Sequence, residues 1–441
     1  MKYVKTFPKG GIHPPDMKQL SKDGSIVNAI IPPISRVPLS QHIGSPSECV
    51  VTAGDEVQEE MLIGKSTGFI SANVHSPVPG VVKKIEPILL PTGVSSQAVV
   101  IEFQGEFNRI GKQHEKQIWD NLEKEQLIRK VLDMGIVGMG GATFPTHVKF
   151  TVPRQKKAEY FVVNGVECEP YLTADYRLML EKTAEILTGI RIIQKILGVS
   201  KTFIGIELNK PDVIEIMTKA ADESDLDIKV VPCKMKYPQG DEKQLLKAIL
   251  GKEVPSGGLP LDIGAVVSNV GTIFAVYEAV VWDKPLIERI VTVSGGAIAQ
   301  PGNMKVRIGT SVGTLIEECG GFRKRPEKIV MGGPMMGFAL CDMETPVMKG
   351  TSGILAFTKK ECGGARETSC IQCGRCIQAC PMGLNPTKLY KNIDNGEYAG
   401  AGEMGLMDCK ECGCCAFVCP AHIHLVQGMK WGKGMLKKAK K

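Results

Sequence analysis

Between residues 50 and 103, short β-branched runs are separated by turn signals at Ala53-Gly54-Asp55, Pro77-Val78-Pro79-Gly80 and Pro91-Thr92-Gly93. That alternation predicts a small all-β unit. From about Ile118 the period lengthens. Ile118, Trp119, Leu122, Ile128, Val131 and Leu132 recur at helical spacing up to Gly135, which predicts one helix there. A glycine-rich loop follows, then a strand-like run at 160–163. Next comes a long amphipathic stretch over 174–197 that stops at Gly198. A strand at 202–206, a helix opened by Pro211 and a strand at 228–231 continue the series. Strand–helix–strand repetition predicts a parallel sheet with crossover helices. Ligands on such sheets bind at the carboxyl ends of the strands. The most apolar run, 264–282, contains Asn269 and Glu278, and reads as a buried core helix after a loop rather than a membrane span. Residues 289–340 return to short strands and glycine turns, the pattern of a small α+β module.

Length and composition narrow the class. A chain of 441 residues predicts roughly three domains. The net charge of +7 is modest for that length and gives no argument for nucleic acid. Ten of the 15 cysteines lie between Cys362 and Cys419. An odd count crowded into one end fits poorly with a disulfide framework, and the first residues lack an apolar core of signal-peptide length. The expectation is a reducing, cytoplasmic setting, with any membrane attachment made through partners. Lys430, Lys433, Lys437, Lys438, Lys440 and Lys441 form a basic end without acids, expected to be a solvated, frayed tail.

The cysteines carry the strongest motif. Cys370, Cys373, Cys376 and Cys380-Pro381 are repeated 39 residues later as Cys409, Cys412, Cys415 and Cys419-Pro420. This is the ferredoxin spacing C-x₂-C-x₂-C-x₃-C-P, twice. In that crossed arrangement Cys370, Cys373, Cys376 and Cys419 hold one [4Fe–4S] cluster, and Cys409, Cys412, Cys415 and Cys380 hold the other. Zinc sites use cysteines in pairs and need neither triplets nor a trailing proline. The register leaves Cys414 out. Cys49, Cys168, Cys233, Cys319, Cys341 and Cys362 read as small, partly buried residues.

The loop from Gly138 to Lys149 has glycines at 138, 140 and 141 that let backbone N–H groups approach a phosphate, with Lys149 as fixed charge. Alone it is a weak signal. Its pattern Gly-x-Gly-Gly-x-x-Phe-Pro-Thr-x-x-Lys resembles the FMN loop of the NADH-binding flavoprotein subunit of respiratory complex I. Asn164-Gly-Val-Glu-Cys-Glu-Pro170, Tyr237-Pro-Gln-Gly-Asp-Glu242 and Val267-Ser-Asn-Val-Gly-Thr272 resemble further segments of that flavoprotein, in the same order. Val166, Asp241 and Gly271 depart from its pattern. The segment from Gly54 to Val82 resembles the barrel-sandwich fold of lipoyl and biotinyl carriers, but its hairpin at 68–75 has no lysine to modify, so it reads as a scaffold. These parts occur together in the C subunit of the Rnf electron transport complex, which nearly the whole chain resembles.

That resemblance implies a multidomain α/β and α+β chain. It would comprise a lipoyl-like β domain at 1–110, a Rossmann-like FMN/NADH domain at 111–284 and a soluble-ligand-binding β-grasp-like module at 285–350. A two-cluster ferredoxin-like helical domain at 360–428 and a basic tail at 429–441 would complete it. It implies FMN contacts at Gly138, Gly140, Gly141, Lys149, Asn164, Gly240, Asp241 and Asn269, and NADH contacts at Phe144, Glu169 and Glu242. It implies a peripheral protein on the cytoplasmic side of the cell membrane, exchanging electrons between ferredoxin and NAD(H) beside the other membrane and peripheral Rnf subunits. Na⁺ or H⁺ transport would be coupled in the membrane partners. NADH moves a hydride and clusters take single electrons, so a flavin is needed between them and no protein nucleophile is. None of the seven histidines is expected to be catalytic, and His147 reads as a surface or packing residue. Two alternatives are a soluble reductase resembling the cobalamin reductase of propanediol-utilising microcompartments and a non-catalytic relay without flavin.

Overall fold

The computed structural model describes residues 4–107, 115–364 and 366–439. His114, Lys440 and Lys441 lie outside the described residues.

The β-rich region forms two small sheets. One is ordered Ile34–Pro38, Ser95–Phe103, Gly80–Leu89, Glu56–Val57, and the other Glu48–Cys49, Leu62–Lys65, Val74–His75. Val37, Val57, Ile63, Val74, Val82, Val99 and Ile101 from both sheets share one core, which makes this a sandwich. The first residues leave it. Lys5 bridges Cys233, Ile12 bridges Tyr237, and Val27–Asn28 pairs with Gly302–Arg307. The first part of the span expected as one β domain thus also pairs with the two neighbouring sheets.

A four-stranded, wholly parallel sheet follows, ordered Ile228–Cys233, Thr202–Glu207, Tyr160–Asn164, Ala265–Asn269. Its strands are apolar on both faces, as a sheet covered on both sides requires. Phe161, Val163, Ile204 and Val266 face helices carrying Leu127, Val131, Ile186, Ile190, Ile273 and Val276. Val162, Val231 and Val267 face Leu245, Leu246 and Ile249 of the helix Glu242–Leu250.

Three local expectations change here. The first helix begins at Lys124, not Ile118. Gln126 Oε1 accepts the Glu123 N–H at 2.8 Å and closes its first turn, while Trp119 is buried ahead of it as a non-helical plug. The stretch from Ala174 is two helices, Ala174–Glu181 and Thr183–Leu197. Lys182 leaves helical geometry at φ −132°, and the Thr183 hydroxyl donates to the Met179 carbonyl at 2.6 Å, the local competition that hydroxyl side chains offer a helix. Gly198 ends the second helix at φ +66° as expected. The run from Gly264 is a strand, Ala265–Asn269, feeding directly into the buried helix Val270–Trp282. A continuous apolar run does not by itself separate a buried strand from a buried helix.

The α+β module extends past 350. Its sheet is ordered Val27–Asn28, Gly302–Arg307, Glu288–Ser294, Gly353–Phe357, Lys328–Met331, Phe338–Ala339. The strand Gly353–Phe357 therefore sits near its centre. The cysteine-rich region is helical, and its last helix, Leu425–Ala439, packs through Met429 on Leu389, Ile393 and Leu406. The basic end is thus not a frayed tail through Ala439. No helix among the described residues is long and apolar enough to cross a membrane.

Candidate functional site

The strands Tyr160–Asn164 and Ala265–Asn269 are neighbours, and their last residues, Asn164 and Asn269, are paired in register. Both asparagines therefore stand at the carboxyl edge of the parallel sheet, where the loop from Gly138 to Lys149 also arrives. The loop is pinned by the Gly138 N–H on the Phe144 carbonyl (2.8 Å) and the Met139 N–H on Thr272 Oγ1 (2.8 Å). A Cβ on Gly140 would lie 3.3 Å from Cβ of Asn269, so the glycine lets the loop lie against the strand end. Gly141 takes φ +107° with open space where a side chain would be. These features fit a cradle for a phosphate-bearing group.

Several of the expected contact residues are already bonded within the chain. Asn269 caps the helix Val270–Trp282 through the Gly271 N–H (2.9 Å) and donates to Asp175 (2.7 Å). Asn164 donates to the Gly240 carbonyl (2.8 Å) and accepts the Val166 N–H (3.2 Å). Asp241 caps the helix Glu242–Leu250 through the Gln244 N–H (3.2 Å). These residues shape the site as much as they line it. Lys149 donates to the Val267 carbonyl (3.0 Å) and pairs with Glu242 (2.9 Å), so a residue expected at the flavin and one expected at the nicotinamide nucleotide share one ion pair. Phe144 is half-buried on the same loop. Glu169 is placed differently. Its carboxylate accepts the Met335 N–H (3.0 Å) from the α+β module and the Tyr237 hydroxyl (3.4 Å). Burial pushes its pKa up to about 7.

Beneath the segment 164–170 lies a network of buried charges. Lys18 Nζ donates to the Glu169 carbonyl (3.1 Å) and faces Glu167 at 3.7 Å. Lys210 donates to the Val166 carbonyl (2.8 Å) and faces Glu207 at 3.7 Å. Burial raises the Glu167 pKa to about 7 against the pull of Lys18. A side chain at Gly271 would meet Asn269, Arg289 and Asp175, so the departure at this position has a structural reason. Lys18, Asp175, Lys210 and Arg289 were not legible as site residues, because each reaches the site from a separate element. Tyr237 had a signal, standing at the head of the Tyr-Pro-Gln-Gly segment.

The Tyr237 hydroxyl also donates to the Cys412 carbonyl at 2.8 Å. Cys380, Cys409, Cys412, Cys414 and Cys415 line one cavity with Pro386, Leu389 and Met429. All but Cys414 belong to the set that the crossed register assigns to one [4Fe–4S] cluster, and among the described residues these thiols are gathered at one cavity without being drawn into a metal-holding group. Lys433 donates to the Cys409 carbonyl (2.6 Å) and pairs with Glu411 (2.7 Å), which fixes that loop from the terminal helix. Of the other set, Cys376 and Cys419 pack with Ala421, Ile423 and Leu425, while Cys370 and Cys373 lie on an exposed loop. Cys414 is fully buried and turned toward the Tyr237 carbonyl (3.9 Å). Cys341 and Cys362 are exposed, against expectation. His147 is a buried packing residue whose ring meets the Phe69 carbonyl at 3.2 Å.

Four families match in chain order. These are the RnfC barrel sandwich hybrid domain (residues 5–106), the Nuo51 FMN-binding domain (131–278), the SLBB domain (290–339) and a 4Fe-4S dicluster domain (364–420). The chain is 49% identical over 386 residues to the C subunit of the proton-translocating ferredoxin:NAD(+) oxidoreductase complex of Clostridium ljungdahlii, covering 88% of this chain and 84% of that one. It is 43% identical over 430 residues to the C subunit of the ion-translocating oxidoreductase complex of Rhodobacter capsulatus, with 97% and 83% covered. It is 42% identical over 381 residues to the C subunit of the Na(+)-translocating ferredoxin:NAD(+) oxidoreductase complex of Acetobacterium woodii, with 86% of each covered. Among solved structures, a chain of an NAD+-reducing [NiFe]-hydrogenase in the H2-reduced state shares the fold over 71% of this chain and 61% of that one, with a TM-score of 0.50 at 17% identity.

Proposed function

The chain belongs to the RnfC family, the C subunits of ion-translocating ferredoxin:NAD(+) oxidoreductase complexes, and we propose that it carries such a complex's electron exchange with NAD(H). It binds FMN and two [4Fe–4S] clusters. Bound FMN supplies the conversion between a two-electron hydride and single electrons. The chain's part is to bind, orient and exclude water. The glycine loop and the strand ends at Asn164 and Asn269 hold the flavin, with Gly138, Gly140, Gly141, Lys149, Gly240 and Asp241 around it. Phe144 and Glu242 flank the nucleotide, and Glu169 closes the far side against Met335.

The observation that carries this reading is the contact from Tyr237 to Cys412, which joins the flavin side of the sheet to one cysteine set. Cys380, Cys409, Cys412 and Cys415 would hold the cluster on the flavin side, and Cys370, Cys373, Cys376 and Cys419 would hold the cluster on the far side, both supplying single-electron carriers. The exit is the exposed loop of Cys370 and Cys373, where Ile371 is 67% exposed. Partners are ferredoxin and the other Rnf subunits, with the chain peripheral on the cytoplasmic side of the membrane. Rossmann-like and β-grasp-like describe its second and third units. The soluble cobalamin-reductase reading is not favoured by the relatives. Anaerobic purification from native membranes tests the proposal. The membrane subunits are expected to accompany the chain, and a flavin- and cluster-loaded chain recovered free of them under gentle extraction would contradict it.

A further inference from the structure

We infer that residues 5–18 form a strap that sets the distance between the flavin site and the cysteine-rich module, with Phe7, Gly10 and Gly11 as its positioning residues. The inference rests on the proposed function and deepens it. Prolines at 8, 14 and 15 keep this segment out of a helix, and two adjacent glycines let it turn sharply. Its backbone first extends the parallel sheet. The Lys5 N–H donates to the Pro232 carbonyl (2.9 Å) and the Lys5 carbonyl accepts from Lys234 (2.9 Å), which covers the sheet's outer strand. Phe7 is fully buried, with the Lys236 ammonium 4.2 Å from its ring centre and bonded to its carbonyl at 3.0 Å.

The strap then reaches the clusters. The Gly11 N–H donates to the Ala379 carbonyl at 2.9 Å, at the end of the helix Arg375–Ala379 and next to Cys380. This backbone-to-backbone hydrogen bond ties the cysteine-rich module to a segment more than 350 residues away in the chain. Gly10 has φ +63°, and a Cβ there would fall on the Cys380 carbonyl group, 2.5 Å from its carbon. Only glycine allows this approach. One residue further on, Ile12 and Tyr237 exchange both backbone hydrogen bonds (2.8 and 2.9 Å), and Tyr237 reaches the Cys412 carbonyl. Lys18, farther along the same segment, anchors under Glu167 and Glu169. A single extended segment therefore touches the flavin-side segment, the Tyr237 loop and the carbonyl of a cluster cysteine. Single-electron transfer weakens steeply with separation, so a segment holding both sides governs that step and leaves the hydride step alone.

The test uses the full chain, anaerobic and loaded with FMN and iron–sulfur, as wild type, Gly10→Val, Phe7→Ala and Phe7→Leu. Rapid mixing with NADH follows flavin bleaching, freeze-quench EPR follows cluster reduction, and hydrogen exchange follows the Gly11 and Ile12 amides. FMN and iron contents and the bleaching rate are expected to match wild type. Exchange should be faster, and cluster reduction slower severalfold in Gly10→Val, because electron transfer falls off with each added ångström of separation. Phe7→Ala touches no cluster ligand and serves where Gly10→Val loses iron. It should show the same split, and Phe7→Leu should restore most of the rate. Normal cluster reduction in both disruptive variants, with exchange accelerated, would overturn the strap alone. Absence of flavin bleaching in the wild type would be a different result, overturning the proposed function and the strap with it.

Discussion

At Gly140 the loop approaches Asn269 so closely that a valine would force it off the strand end. Gly140→Val is expected to abolish FMN binding and to leave about eight irons per chain, measured by flavin release and iron assay. Cys414, buried outside the crossed register, makes the opposite prediction. Cys414→Ser should keep both clusters by EPR, whereas Cys373→Ser should lose one. Lys349 yields a pH prediction. Its buried ammonium donates to the carbonyls of Asn73 (2.6 Å) and Gly135 (2.7 Å), and burial pushes its pKa down to about 7 from 10.5. Between those values the unfolded chain holds the proton and the folded chain does not, so stability should rise with pH there and be flat below about 7 on this account. Lys349→Met should remove that part of the slope in thermal unfolding followed from about pH 7 to about pH 10. The glycines and cysteines of these sites were readable because their spacing is local. Lys349, Arg289 and Lys18 were not, since each acquires its role only when distant segments meet.

The terminal helix Leu425–Ala439 converts a basic run into a support for a cluster loop. Lys433→Met removes a charged hydrogen bond to the Cys409 carbonyl and the pair with Glu411, a loss of about 1.5–3 kcal/mol. The expected outcome is a lower unfolding temperature and faster iron loss from the Cys380, Cys409, Cys412 and Cys415 set. Unchanged iron retention would show that the loop holds itself. In sequence the lysines drew attention and the apolar positions between them did not. Yet Leu425, Met429 and Gly432 are the buried face. The break at Lys182 was hidden for a related reason, because the hydrophobic period runs through it while a hydroxyl–carbonyl contact interrupts the ladder.

At the scale of the molecule, the order of parts was legible: β unit, parallel sheet, α+β module, cysteine repeat. The exchange of segments between them was not. Val27–Asn28 and the strap leave the N-terminal unit to complete the edges of two other sheets, and no local pattern announces such long-range pairing. That exchange brings Tyr237 to Cys412 and gives the account its central claim, that the flavin reaches the Cys412 set first and the Cys373 set second. Reduction by NADH of anaerobic Cys412→Ser and Cys373→Ser chains, followed by EPR, tests this most directly. The account predicts that Cys373→Ser still reduces its remaining cluster at the wild-type rate, and that Cys412→Ser bleaches its flavin but leaves the surviving cluster oxidised on the same timescale. Prompt reduction of the surviving cluster in Cys412→Ser would contradict it.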